Sequence, residues 1–442
     1  MLNIHVNILQ ESQDELKYLF NFFFEKLLGE DFNLDFKLAD KISVALPNCE
    51  LIFESSFFQV QFKDRYTEIQ IPNEVDDSRI SIGQKSFPIV NMYGIKKLDV
   101  SASEICMRSD ILASSFFMLT RWEEAVLKDK DSLGRFDAEK SLIIKHRLWK
   151  RCIVNEYIEI FWALLQSGGF LGKRKESHFD AYVTHDIDLI KKFRSWLDKL
   201  RFLKEAAKKS SVLRLPFYLS KYVLSKNDPY DNLEYISEST HKKGLKAIFY
   251  FKTGATHTLY DKNLYNTKDL ARTFELLEER NQEIGIHPSF ETFEDENILR
   301  SEILKLKKDT GQSVKHSRQH YLRFKIPATW RILSNCDVKT DSTMMYTHYQ
   351  GFRNGICQPF KVFDFEKRKL LAITELPLMF METPILNKSN IEILVTAKNL
   401  VNEVSKYNGQ FVMVWHNSNL VYKRDRDLYE SILDYLVQVK RA

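Results

Sequence analysis

Regular alternation of strand-like and helix-like segments fills the chain beyond residue 178, and this constrains the fold most. FDAYVTHD (179–186) is predicted as a strand, followed by helix-period sequence with Leu189, Phe193, Trp196, Leu197 and Leu200 on one stripe. KAIFYFKTG (246–254), EIGIH (283–287), SVKHSRQH (313–320), VKTDST (338–343), ITELPLMF (373–380) and GQFVMVWH (409–416) supply six more strands. Helical period marks LARTFELLEERN (270–281), NILRSEILKLKKD (297–309), PATWRILSN (327–335), NIEILVTAKNLVNEVSKY (390–407) and DLYESILDYLVQVKR (427–441). Pro327 suits a first helical turn. Such alternation predicts an α/β domain on a parallel sheet. Seven units close most simply as an incomplete barrel, with an open sheet as the alternative.

At about 150 residues per domain, 442 residues leave room for a second domain. EYIEIFWALLQ (156–166) reads as an amphipathic helix. SGGFLGKRKES (167–177) then brings glycines and charge, with GKRKE (172–176) as a solvated linker. A boundary here gives an α+β domain over 1–170 and the alternating domain over 178–442. In the first, LIFESSFFQVQF (51–62) and YTEIQIP (66–72) alternate as strands do, and SEICMRSDILASSFFMLTRWEEAV (103–126) reads as a helix capped by Ser103. Trp122, Glu123 and Glu124 are expected at a packed edge with a solvated acidic face.

Several function classes are disfavoured. A net charge of +5 with interspersed acids and bases is not the basic stripe of a nucleic-acid binder. No apolar run approaches the roughly 18 residues of a membrane span. Glu11, Asp14 and Glu15 fall where a signal peptide stays apolar, so a cytoplasmic location is expected. Cys49, Cys106, Cys152, Cys336 and Cys357 are scattered, odd in number and without CxxC spacing, as reduced thiols are. GxSxG, HExxH and the glycine-rich phosphate motifs are absent.

Polar residues gather where the predicted strands end. Asp186 and Asp188 follow the first strand, His287 ends the third, and Arg318 and His320 end the fourth. Asp341 lies near the end of the fifth and His416 ends the seventh. In a parallel β/α barrel these ends share one rim, where chemistry is done. In THDID (184–188) the two aspartates sit two apart, so both carboxylates point to one side of an extended strand end. Their repulsion is relieved by a cation or a shared proton. Read alone, Asp188 is a helix cap, His287 a hydrogen-bonding group and His416 a core histidine beside Trp415. Taken together at one rim, the aspartates and histidines predict a divalent metal in an oxygen/nitrogen site, zinc above all. The metal would activate water and polarise a carbonyl, with a carboxylate base and His416 as the acid.

The ordered set THDID (184–188), EIGIHPSF (283–290), RQHYLRF (318–324), DSTMMY (341–346), GFRNG (351–355) and VWHN (414–417) resembles the NodB-homology polysaccharide deacetylases, carbohydrate esterase family 4. RWEE (121–124) and IVNEY (153–157) resemble the divergent THDxD subgroup with an N-terminal α+β domain. The resemblance implies a distorted (β/α)7 barrel that removes acyl groups from N-acylated sugars. By position, Asp186 resembles the catalytic base and Asp188 the metal aspartate. His287 resembles the first metal histidine and Arg318 the arginine steering the base. Asp341 resembles the acid that tunes the catalytic histidine, and His416 resembles that histidine. The family's second motif runs H-x-x-x-H, but four residues after His287 stands Glu291. His320, on the rim, or Glu291 is then the third ligand.

The expected function is therefore metal-dependent hydrolysis of an N-acylated sugar or glycoconjugate, with Tyr321 and Tyr346 against the substrate. Trp330 and Phe352 are further candidates for a sugar cleft. A glycan-binding protein without catalysis and an amidase on a small amide or cyclic imide are the alternatives.

Overall fold

The computed structural model describes residues 1–209, 212–262 and 264–441, in a mixed α/β arrangement. The chain divides into two compact units. The first comprises Met1–His178 with Phe324–Arg331 and Phe352–Pro377; the second comprises Phe179–Arg323, Ile332–Gly351 and Leu378–Ala442. Two segments beyond residue 178 thus belong to the first unit.

In the first unit a mixed six-stranded sheet runs in the order Phe32–Leu38, Leu2–Ile8, Ile42–Ala45, Glu50–Phe53, Glu104–Ser109, Gly94–Val100. The helices Gln13–Leu27 and Ile153–Ser167 contribute to an aromatic core, in which Phe161 stacks on Phe23 at 4.7 Å and on Phe53 at 5.5 Å. Three segments depart from expectation. The strand expected over 51–62 stops at Phe53: the Ser55 hydroxyl accepts the Phe58 amide, and adjacent Phe57 and Phe58 are both buried, which strand alternation does not permit. Residues 66–72 carry a 3-10 turn at Glu68–Gln70, with the Tyr66 ring against Phe116 and Trp122. The helix expected over 103–126 is a strand, Glu104–Ser109, followed by a helix, Ile111–Thr120. EICMRS buries every second residue, and the cap is Asp110, which accepts the Ala113 amide at 2.8 Å, rather than Ser103.

Trp122, Glu123 and Glu124 are buried, not at a solvated edge. Arg121 pairs with both acids, and Glu124 also pairs with Arg353. Ser141 and the Leu142 amide complete the partners of Glu123 at 2.8 and 3.1 Å.

The second unit contains seven strands: β1 (Asp180–Ile187), β2 (Lys246–Phe251), β3 (Glu283–Ile286), β4 (His316–Ser317), β5 (Thr340–Asp341), β6 (Phe380–Met381) and β7 (Gln410–Val414). They are hydrogen-bonded in the order β5-β4-β3-β2-β1-β7-β6, every pair parallel. Among the described residues no pairing joins β5 to β6. β1 and β7 are buried along most of their length, as strands of a parallel sheet covered on both faces are.

The sixth strand differs from the one expected over 373–380. Lys369–Glu375 pairs antiparallel with Phe360–Asp364 in the first unit, and Phe380–Met381 pairs parallel with β7. Pro377, which has no amide hydrogen to give, lies between them. The stripe expected from Leu189 to Leu200 is not one buried helical face. The helix is Trp196–Lys209, and Trp196, Leu197 and Leu200 are exposed.

Candidate metal centre and catalytic residues

Because the strands are parallel, their carboxyl ends lie on one side, and the residues that end them meet there. Asp186 and Asp188 close β1. Lys252 follows β2, His287 follows β3, Arg318 follows β4, Glu382 follows β6 and His416 stands two residues past β7.

Asp186 is buried, and its Oδ1 receives Arg318 Nη1 at 3.0 Å. The guanidinium is itself held by Thr184 Oγ1 (2.6 Å), the Ser342 carbonyl (2.8 Å) and Ser342 Oγ (2.9 Å), and it lies over the Tyr250 ring at 4.5 Å. That ring has room because residue 285 is glycine. A Cβ there would come within 2.5 Å of Tyr250 and 3.0 Å of the His316 Cβ. Burial works to raise the Asp186 pKa, but the Arg318 guanidinium, with His416, outweighs it and holds the carboxyl below its ordinary range.

Asp188, His287 and His320 bring one donor atom each within 4.8 Å of one another. Asp188 Oδ1 lies 3.3 Å from His287 Nε2 and 3.5 Å from His320 Nε2. The other ring nitrogens fix the tautomers. His287 Nδ1 is 2.6 Å from the Arg318 carbonyl and must donate to it; His320 Nδ1 lies 3.0 Å from Asp261 Oδ1 and 3.2 Å from Lys252 Nζ, and donation to the carboxylate leaves Nε2 as its acceptor. In the neutral rings both Nε2 atoms therefore present lone pairs to a carboxylate oxygen. Asp188 Oδ1 is buried without a hydrogen-bond partner. Three acceptors aimed at one point, each histidine fixed from behind, suit a divalent cation with oxygen and nitrogen ligands. His320 is also followed by two left-handed residues, Tyr321 (φ 59°) and Leu322 (φ 54°), the kind of backbone strain that gathers at functional sites. Glu291, the other candidate ligand, turns its carboxylate to Arg323 Nη1 at 2.9 Å.

Beside this group stands His416. Its Nδ1 donates to Glu382 Oε1 at 2.8 Å, and its Nε2 lies 3.9 Å from Asp186 Oδ2 and 3.8 Å from Asp188 Oδ2. Burial alone would lower its pKa, but Glu382 and the two aspartates push it up to about 10, so Nε2 carries a proton. Glu382 is fixed in turn by the His416 amide (3.0 Å) and Asn419 Nδ2 (2.6 Å).

The carboxylate on His416 is thus Glu382 and not Asp341. Asp341 is buried and accepts the amide and hydroxyl of Thr343, both at 3.0 Å. Of the proposed substrate contacts, Tyr321 is 39% exposed and packs its ring against His320 at 4.4 Å, whereas Tyr346 is 4% exposed. Trp330 and Phe352 are buried in the first unit, Trp330 bonded to Glu375 at 2.8 Å. Glu382, Lys252 and Asp261 escaped the sequence reading. The rule that located His287 locates the first two once strand ends are known. Asp261 lies in a loop with no periodic signal. Its Oδ2 accepts the amides of Thr256, His257 and Phe290 at 2.9–3.0 Å, and Lys252 Nζ reaches its Oδ1 at 3.2 Å.

Residues 4–169 match the model of a family of unknown function, DUF7033. No curated protein matches the chain. Solved structures similar to part of it include a Mycobacterium smegmatis chain assigned as a polysaccharide deacetylase, at 12% identity and TM-score 0.39, covering 59% of this chain and 85% of that one. A Bacillus anthracis pseudoenzyme of carbohydrate esterase family 4 is 11% identical at TM-score 0.31, covering 59% and 61%. A Streptomyces lividans family 4 carbohydrate esterase in complex with acetate is 10% identical at TM-score 0.29, covering 60% and 88%. Likenesses this distant carry no argument about chemistry, which rests on the geometry above.

Proposed function

We propose that the chain is a metal-dependent hydrolase that removes an acyl group from the nitrogen of an N-acylated sugar. The carrying observation is the convergence of Asp188, His287 and His320 on one point, flanked by the Asp186–Arg318 and His416–Glu382 pairs. The motif resemblance supports the sugar substrate. The distorted (β/α)7 barrel it implies is supported by reach. At about 4.8 Å per strand, β3 and β7 would stand about 14 Å apart in a flat sheet. His287 and His416, three strands apart in the sheet order, each bring Nε2 to 3.9 Å from Asp186 Oδ2, as strand ends sharing one rim do.

A divalent ion, zinc by its donor set, would be held by Asp188, His287 and His320 and would supply Lewis-acid polarisation and a water of lowered pKa. Asp186, kept ionised by Arg318, accepts the proton of the water that adds to the amide carbonyl. His416 gives its Nε2 proton to the departing nitrogen as the carbon–nitrogen bond breaks, leaving an amine and a carboxylate. Glu382 holds the imidazole so that Nε2 faces the site and steadies its charged form.

Metal content and acyl release on the full chain test this. We expect one divalent ion per chain, at least about 100-fold weaker binding in Asp188→Ala, and acetate release from N-acetylated sugars in preference to small amides and cyclic imides. A native chain that binds no divalent metal overturns the reading. A metal-loaded chain that binds sugars without releasing acetate shows a glycan-binding protein instead.

A further inference from the structure

We propose that the excursion between β1 and β2, described over 191–209 and 212–226, forms a surface that seats the second unit on an anionic lipid bilayer. This stretch holds eleven Lys and Arg against two acids, a net of +9 in a chain whose total is +5, so the remainder is net negative. Interspersion of charges along the whole chain does not extend to it. Its helices are two-faced. Phe202, Ala206, Tyr218, Tyr222 and Val223 pack inward with Val421 and Tyr422. On the outside Trp196, Leu197, Leu213, Phe217 and Leu224 are 55–90% exposed. Basic side chains with exposed aromatic and aliphatic groups are the composition of a helix lying in a membrane interface, where the rings enter the headgroup layer and the cations meet lipid phosphates. A nucleic acid would engage the cations and leave five large apolar side chains in water. Among the described residues no helix is long and apolar enough to cross a membrane, which fits seating on the surface.

The excursion is closed at its base. Asp228 accepts the amides of Lys192 and Phe193 at one end and of Tyr230 at the other, all at about 2.9 Å. Lys199 Nζ ties its helix to the Val223 and Ser225 carbonyls, both at 3.0 Å. It opens just past Asp188, where Asn417 Nδ2 holds the Leu189 carbonyl at 2.8 Å, so the seated surface adjoins the site's mouth. The inference stands on charge and exposure and does not depend on hydrolysis.

Co-sedimentation of the full chain with vesicles tests it. The native chain is expected to bind vesicles of phosphatidylcholine with about 30% phosphatidylserine and not those of phosphatidylcholine alone. Trp196→Ser with Phe217→Ser, and separately Lys204→Glu with Lys208→Glu, are each expected to lower the bound fraction at least about tenfold with unchanged thermal melting. Absence of binding by the native chain, or binding by both variants as strong as the native chain's, overturns the proposal. So does tighter binding to polyuridylate than to vesicles that the serine variant leaves unchanged, since the surface would then serve a nucleic acid.

Discussion

Each unit buries carboxylates beside arginine, and the two clusters are completed in different ways. In the first unit all four oxygens of Glu123 and Glu124 are met by donors: Arg121, Arg353, Ser141 and the Leu142 amide. In the second, Arg318 serves Asp186, while Asp188 Oδ1 faces two imidazole lone pairs. A buried network with matched donors holds a fold together. One with converging acceptors is complete only when something else arrives. Both clusters set acids against arginine, and the balance of donors against acceptors separates them.

Substitutions can break that contrast or sharpen it. The largest effect is expected from Asp186→Asn, which keeps shape but removes the proton acceptor. Turnover should fall about 10³- to 10⁴-fold while bound metal, measured on the same preparation, is largely retained; retained turnover would remove Asp186 from its role. Next is Glu124→Gln. It leaves Arg121 and Arg353 short of one charge and should cost about 3 kcal/mol in denaturant unfolding with metal content unchanged. Burial raises the Glu124 pKa, but Arg353 and Arg121 bring it below the ordinary value. A depressed folded pKa contributes stability above the unfolded carboxyl's pKa of about 4.3 and loses it as pH falls through the folded value. The glutamine variant should therefore show a flatter acid limb of stability than the native chain.

A smaller effect belongs to Glu382→Gln. With the main support for protonated His416 gone, its pKa should fall, and the alkaline limb of the kcat profile should move to lower pH. An unmoved limb would separate Glu382 from proton donation. The smallest is Tyr321→Ala, expected to raise KM by less than about tenfold, with kcat little changed and metal retained.

The parts of the site legible in the sequence are those set by strand ends. His287 directly follows a short apolar run and Arg318 the two-residue strand His316–Ser317, and parallel strands carry such positions to one rim. Glu382 obeys the same rule but stays hidden, because a strand expected over 373–380 ends on the first of the two pairing residues, Phe380 and Met381. Asp261 was not legible, since a carboxylate that organises a loop through backbone amides has no period. In the first unit, EICMRS followed by DILASSFF joins period two to a helical stripe within one apolar stretch, and pattern alone reads them as a single helix. Burial of Glu124 depends on Arg353, more than two hundred residues away, which local composition cannot register.

Gly285 carries no charge and touches no substrate, yet the reach of Arg318 to Asp186 depends on the space it leaves for Tyr250. A single methyl group added there would crowd Tyr250 and, through it, Arg318, while every ionisable residue of the centre stayed in the sequence. Judging whether a chain of this kind is working or silent by checking its charged residues alone would count such a variant as intact.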